Sequence, residues 1–538
     1  MTNVNFYDLK KNEINNIRIT KYLKYLDILS NSLNKIHKAD FKSSYWEIII
    51  GPWLLFFIST NDTNYSYQKK NKKLNNNSPK DRGLLRVPYD FASYINLTYQ
   101  NDYFNSLEDF TVGENNKFST NAFKYTIKKN NLRNLINSIN IKLSKIILKY
   151  FSIVAIDTYL PIEQRIKLFI KSKFRIFPIS LYDNGVSDNT NINFDIRKKI
   201  LKNKSGKIAI EDQLDKLLIK IIPYQIPYVY IEGYKELIRK LPKSNKTLKV
   251  IYTSVGLFQN ELFKLFCAQN KIKNNTKLVG SQHGGFPYGM SDSPMPYLEK
   301  KIVDRYLTWG WSDGENDIKF ISLKISHLKK FIEKKRIVKN DNLALYISTC
   351  GSKSDPNNWS VISGNEWIKY YDDQSIFFDN LNQSLYKKIL IRLHPSDNVF
   401  DFPQKKNFLK INKSFNFDKN NNYAYTLLKT KLVIIDHLHT TFLETIAFKI
   451  PTIVFIDEKS WIPNDKFLKI YEKLKDVQII HTSPISASNF INKNFNTIDQ
   501  WWNSIEVKDV VCELQNSFIN LSINPEKKLI NYLNNLKK

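Results

Sequence analysis

Seven histidines serve the 538 residues of this chain, and four of them fall in three short segments. His283 stands in KLVGSQHGGFPYG (277–289), His394 in ILIRLHPSD (389–397), and His437 and His439 in LVIIDHLHTTFLETIAFKIPTIVFID (432–457). An imidazole titrates near neutral pH, so it can donate to a phosphate or exchange a proton with a reacting hydroxyl. In the last segment His439 precedes two hydroxyls, Thr440 and Thr441, at the predicted start of a helix. Free N–H groups and the helix dipole favour an anion there, and phosphate is the expected one. Arg392 and His394 close the second segment with Pro395. In the first, Gln282 and His283 lead into Gly284 and Gly285, and paired glycines let backbone approach a ligand closely. A tight turn accounts for that Gly pair equally well. Glu444, one turn into the helix, either reaches the ribose hydroxyls of a nucleotide or serves the helix terminus itself.

The elements that must position these residues are legible in the apolar pattern. Leu432 to Ile435 and Pro451 to Ile456 are short, β-branched and unalternating, as buried parallel strands are. Between them Phe442, Leu443, Ile446 and Ala447 recur at helical spacing, with Thr440 expected as N-cap. A third strand runs from Ile389 and is stopped by Pro395. A fourth, Leu278 to Gln282, runs into the paired glycines. A doubly wound α/β fold binds ligands outside the carboxyl ends of its strands, where all three segments place their polar residues.

The Gln282-His283-Gly284-Gly285 turn, the His394-Pro395 pair and the Asp436 to Glu444 segment, in that order, resemble a family of bacterial surface-polysaccharide transferases. That family is similar to the GT-B enzymes that use CMP-activated sugars, among them Kdo transferases, sialyltransferases and polysialyltransferases, which share a His-Pro motif and a Ser/Thr motif. The WEIIIGPW stretch, Trp46 to Trp53, looks familial too, and the likeness runs from about residue 40 to about 460. It implies a GT-B-like α/β fold, two Rossmann-like domains facing a cleft, and a glycosyltransferase that needs neither cofactor nor metal. The donor is expected to be a CMP-linked nonulosonic acid or Kdo, and the acceptor a glycan or lipid-linked glycan. The resemblance gives donor contacts to Gln282, Gly284, Gly285, Arg392, His394, Pro395, His439, Thr440, Thr441 and Glu444. Threonines stand at 440 and 441 where relatives commonly carry serines, which keeps the hydroxyls. For the catalytic base His283 comes first, because its turn resembles the acceptor-side His-Gly turn of polyol-phosphate transferases. Glu232, in a Tyr-Ile-Glu-Gly stretch that faintly resembles the acidic motif of sialyltransferases, comes second and Asp90 a distant third, while His394 is the catalytic candidate on the side of the donor phosphate. A CDP-polyol phosphotransferase of teichoic-acid type would use similar motifs and stays open beside the glycosyl reading, as does a UDP, dTDP or GDP donor.

Length and composition agree with two domains. A chain of 538 residues exceeds one core, and 42% hydrophobic with 14% aromatic residues supplies burial for two. The expected division is an acceptor-side α/β domain with helical additions over 1–325, a donor-binding Rossmann-like domain over 342–498 and a helical tail over 499–538, with the hinge near 325–341. Residues 1–40, 130–220 and 317–339 read as mainly helical. No window reaches the roughly 18 apolar residues of a membrane span, the nearest being Ile48 to Ile58, and the N-terminus lacks a signal peptide's apolar core. A cytoplasmic protein is expected, with peripheral contact at the inner membrane face. Cys267, Cys350 and Cys512 are far apart, which indicates neither disulfides nor a zinc site. The formal charge of +30 comes mostly from scattered lysines in an Asn- and Ile-rich background and no nucleic-acid module is visible, so nucleic acid is not an expected partner. An anionic membrane surface or an acidic glycan fits better, with the runs Lys69 to Lys73 and Lys329 to Arg336 as the places to look.

Overall fold

The computed structural model of the protein describes residues 11–71, 85–100, 103, 107, 119–125, 150–179, 190–201, 209–242, 247–333, 340–351, 362, 364, 366–397, 403–420 and 423–537. The lysine-rich loop expected from Ile58 to Arg82 is corrected as far as Asn71, which ends a helix; residues 72–82, the helical pattern at 135–149 and residues 334–339 of the expected hinge and lysine run lie outside the described residues. Two compact units emerge. The first comprises Met1–Gly280, Tyr297–Arg305 and Ile530–Lys538, and the second Ser281–Pro296 and Tyr306–Leu529. The described strands form two six-stranded sheets, and the class is α/β as expected.

The first unit opens with two long helices, Lys11–His37 and Ser43–Asn71. The apolar stretch from Trp46 to Ile58 lies in the second of these and is buried apart from no residue: Trp46, Ile49, Trp53, Leu54 and Phe57 are wholly covered. A helix apolar all round belongs inside a core, and no described helix is long and apolar enough to cross a membrane. Tyr22 donates to Glu47 at 3.0 Å and Arg18 pairs with Asp62 at 2.7 Å, joining the two helices.

The sheet that begins in this unit contains β1 (Ile153–Ile156), β2 (Ile176–Ile179), β3 (Val250–Thr253), β4 (Lys277–Ser281), β5 (Arg305–Thr308) and β6 (Asp317–Lys319), in the order β2-β1-β3-β4-β5-β6. The pairs β1/β2, β1/β3, β3/β4 and β5/β6 are parallel. Two expectations are corrected here. The stretch 130–220 read as helical holds β1 and β2, and 317–339 begins with β6 before the helix Leu323–Glu333. The helical spacing at 135–151, extended over the whole stretch, hides the short apolar runs of β1 and β2, and Pro178 stands within β2. β2 is an edge strand, where a residue without an N–H is tolerated.

The second unit carries β7 (Asn340–Ile347), β8 (Ile389–Arg392), β9 (Asn416–Phe417), β10 (Thr430–Ile435), β11 (Thr452–Phe455) and β12 (Ile480–His481), ordered β12-β11-β10-β7-β8-β9 and parallel at each pairing. Its core gathers Tyr346, Phe377, Phe378, Ile391, Phe408, Leu432, Ile434, Ile453 and Phe455. The chain winds outward through β7, β8 and β9, then returns to lay β10 on the other side of β7. The winding therefore reverses between β7 and β10, and the crevice at their carboxyl ends is where a doubly wound sheet takes a ligand. Ile347 is in register with Arg392 and with Ile435, so β7, β8 and β10 end level.

Candidate functional site

Three strand ends deliver polar residues to this switch point. From β10 the chain passes through Asp436, His437, Leu438 and His439 into the helix Thr440–Ala447. The N-cap is His439 and Thr440 is the first helical residue, correcting the expected Thr440 cap. The cap residue makes no side-chain hydrogen bond to the helix terminus. The first-turn N–H groups are thus left without that protein acceptor, the condition that suits an anion. Phe442, Leu443, Ile446 and Ala447 are buried as the periodicity required.

Asp436 is the residue the sequence pattern did not single out. Carried in directly behind a fully buried strand, its carboxylate is 2% exposed and must find donors. It accepts from Tyr346 at 2.8 Å, from the Gln374 amide at 2.8 Å and from His437 Nδ1 at 3.0 Å. The proton on His437 is therefore held at Nδ1, leaving Nε2 as the basic nitrogen. His394, two residues beyond β8, has the opposite arrangement. Its Nδ1 accepts from the Ser396 N–H at 3.2 Å and lies 3.1 Å from Cys350 Sγ, so Nε2 carries the proton and is a donor. Burial, with Asp397 nearby, pushes the Cys350 thiol up to about 12, which keeps it protonated.

The imidazoles act on one another. Burial lowers the pKa of His394, and His437 lowers it further against a smaller pull from Asp397. His439 is held well below the usual range by burial, then by His437 and His394. Its ring meets Trp461 edge-on at 4.9 Å and lies 5.5 Å from the His437 ring. Neutral imidazoles this close to an uncapped helix N-terminus become favourable cations only when an anion arrives.

The His-Gly-Gly turn belongs to the same unit. A Cβ built on Gly285 would lie 2.7 Å from the His439 carbonyl carbon and from the Thr440 nitrogen, so the turn and the helix N-terminus are in backbone contact. On Gly284 it would meet Tyr288 at 3.0 Å and Thr440 Oγ1 at 3.7 Å. Gln282 braces the turn: its amide donates to Gly284 O at 2.8 Å, and its carbonyl accepts from the Trp309 N–H at 2.9 Å and from Trp311 Nε1 at 2.7 Å. His283 Nε2 is 2.9 Å from the Tyr288 hydroxyl.

The structure thus brings together His283, Gly284, Gly285, His439 and Thr440, and sets His394 within electrostatic range of His439. The remaining expected residues have other partners. Arg392 binds Asp418 at 2.5 Å and Asn420 O at 3.0 Å and lies 5.2 Å from the Tyr423 ring centre. Glu444 pairs with Lys324 at 3.2 Å and lies beside the buried Tyr423, and Thr441 follows Thr440 in the first turn of the helix. Glu232, in the first unit, clasps Arg197 through both oxygens at 2.8 Å and accepts from the Asn193 N–H at 3.0 Å. Asp436 could have been found from one signal, a carboxylate placed directly behind the apolar run Leu432 to Ile435.

Comparison with known proteins bears on the whole chain. The family model described as LIC12162 family transferase matches residues 8–533. Among curated proteins none matches the chain. Similar solved structures include the wall teichoic acid polymerase TagF, at 12% identity over 76% of this chain and 99% of that one with a TM-score of 0.36. MnaA of S. aureus, solved with UDP, is 10% identical over 72% of this chain and 97% of its own, with a TM-score of 0.39. MurG of Acinetobacter baumannii is 9% identical over 74% of this chain and 96% of its own, with a TM-score of 0.31.

Proposed function

The chain belongs to the LIC12162 family of transferases, and from that premise we propose that it is a glycosyltransferase of surface-polysaccharide biosynthesis whose donor phosphate binds at the β7/β10 switch point. The observation that carries the proposal is the uncapped helix N-terminus at Thr440, faced by the His-Gly-Gly turn and neighboured by imidazoles that burial keeps neutral. Negative charge grows on the departing nucleotide phosphate as a glycosidic bond forms. Preorganised N–H dipoles and a histidine donor are the groups that stabilise such charge. In this assignment the Thr440 and Thr441 N–H groups and hydroxyls hold the phosphate with His394 Nε2–H. His437, oriented by Asp436, supplies or holds a proton beside them. His283 is the proposed base toward the acceptor hydroxyl, with Tyr288 fixing its ring. Glu232, its carboxylate spent on Arg197, is the weaker candidate.

The proposed donor is a CMP-linked nonulosonic acid or Kdo, and the acceptor a glycan or lipid-linked glycan of capsule, O-antigen or lipopolysaccharide. Donor binding is assigned to 342–498 and the acceptor side to 1–325. The +30 charge supports an acidic surrounding, an anionic membrane face or an acidic glycan. The test is calorimetric titration with CMP, CDP, UDP, dTDP and GDP, with and without magnesium. CMP preference lost in Thr440→Val/Thr441→Val with the fold intact supports the proposal. CDP preference turns it toward polyol-phosphate transfer, and absence of any nucleotide binding sinks it.

A further inference from the structure

The helix Ile162–Lys171 in the first unit keeps only Leu168 fully buried. Ile162, Ile166 and Ile170 are 59%, 48% and 56% exposed. Spaced at i, i+4 and i+8 they stand in one ridge, about 12 Å long at 1.5 Å per residue. Phe174, just past the helix, is 60% exposed and extends the apolar surface, with its ring 5.0 Å from Phe169. By contrast, the similarly amphipathic helix Asp465–Asp476 buries its apolar face, Phe467, Ile470, Tyr471 and Leu474. Contiguous exposed apolar surface of this kind marks an interaction site.

The charges beside the ridge say what it meets. Lys167, Lys171, Lys173 and Arg175 are exposed around it, against one exposed acid, Glu163. The ends of the helix are also held in backbone conformations that side chains disfavour: Asp157 and Tyr159 before it, and Lys173 and Phe174 after it, all have positive φ. At the second of these ends the strained turn is what presents Phe174 outward.

We infer that this helix lies on a bilayer surface rich in anionic phospholipid, with Ile162, Ile166, Ile170 and Phe174 in the acyl boundary and the flanking cations among the headgroups. A convex apolar ridge needs no complementary groove to enter lipid, and Lys and Arg stems reach from its sides to the phosphates. A second copy of this chain laid on the same face would set these cations against their own counterparts. The inference deepens the acidic-partner part of the proposed function and rests on neither the donor nor the chemistry, since the assay needs no nucleotide.

The test is flotation of the full-length protein with phosphatidylcholine vesicles, with and without phosphatidylglycerol, at low and high salt. Binding should require phosphatidylglycerol and fall with salt. Ile166→Ser/Ile170→Ser should weaken it about ten-fold or more, and Lys167→Gln/Lys173→Gln by about five-fold per cation removed. Ile505→Ser, at a site 75% exposed in the second unit, should change nothing. Unaltered melting temperatures establish that the variants are folded. No flotation, or flotation indifferent to these substitutions, overturns the inference. A dimer in sedimentation velocity that Ile166→Ser/Ile170→Ser abolishes, without vesicle binding, also overturns it and assigns the ridge to self-association.

Discussion

Replacing Gly285 with alanine asks directly whether the His-Gly-Gly turn and the Thr440 helix build one site. The added Cβ would lie 2.7 Å from the His439 carbonyl carbon, 2.7 Å from the Thr440 nitrogen and 2.9 Å from the Thr440 Cα. Non-bonded carbon contacts relax at about 3.5–4.0 Å, so turn and helix must separate by about 1 Å. All three crowded atoms are backbone, and no rotamer change relieves them. Overpacking of this sort costs about 1–3 kcal/mol. A shift of about 1 Å in a positioned site costs about 100-fold in function. Urea unfolding and nucleotide titration of Gly285→Ala should therefore show a stability loss in that range and nucleotide affinity reduced by about 10- to 100-fold. Gly314→Ala is the control, since a Cβ there meets nothing within 4 Å. If Gly285→Ala loses stability but binds nucleotide like the parent chain, the turn is only structural and the shared-site argument fails.

Asp436→Asn keeps an acceptor for His437 but turns an N–H toward the Gln374 amide. That amide cannot flip without also breaking its bonds to Gln404 and Asn407, both 2.9 Å. Losing a charge-assisted bond and facing two donors should cost about 2–4 kcal/mol in urea unfolding, and a cost near zero would refute the dyad. Because His394 and His439 are held low by burial and by neighbouring imidazoles, a bound phosphate should raise both. Nucleotide binding should then take up protons and tighten as pH falls from neutral; identical binding heats in buffers of different ionisation enthalpy would exclude this. His481, 3% exposed with Nδ1 2.9 Å from Ser486 and Nε2 3.1 Å from Gln478 O, has its pKa lowered by burial to about 4. A depressed histidine favours the fold above its unfolded pKa of about 6.5, and that contribution is lost as pH falls toward 4. About 2 kcal/mol should be gone at pH 5, and His481→Gln should flatten the acid limb of a stability-versus-pH curve; an unchanged limb would refute the assignment.

The strand-turn-helix-strand unit from Thr430 to Phe455 was legible because its signals are local. Unbroken β-branched runs, helical spacing at Phe442, Leu443, Ile446 and Ala447, and a proline directly after His394 each report on a few neighbouring residues. Strands β1, β2 and β6 were not legible, since they lie within stretches read as helical and their burial depends on the sheet around them. The same limit shaped the site. Sequence order showed that His283, His394 and His439 follow strands, so their types and their place at carboxyl ends were determined by the chain itself. Only the tertiary structure decided that β7 lies between β8 and β10, that Gly285 abuts the backbone of Thr440, and that Glu444 answers Lys324. It alone supplied Asp436 with Tyr346 and Gln374, 90 and 62 residues away, and thereby set the proton on His437. Local pattern determines where along an element a side chain stands; the partner that sets its charge and tautomer comes from distant segments, joined only when the core closes.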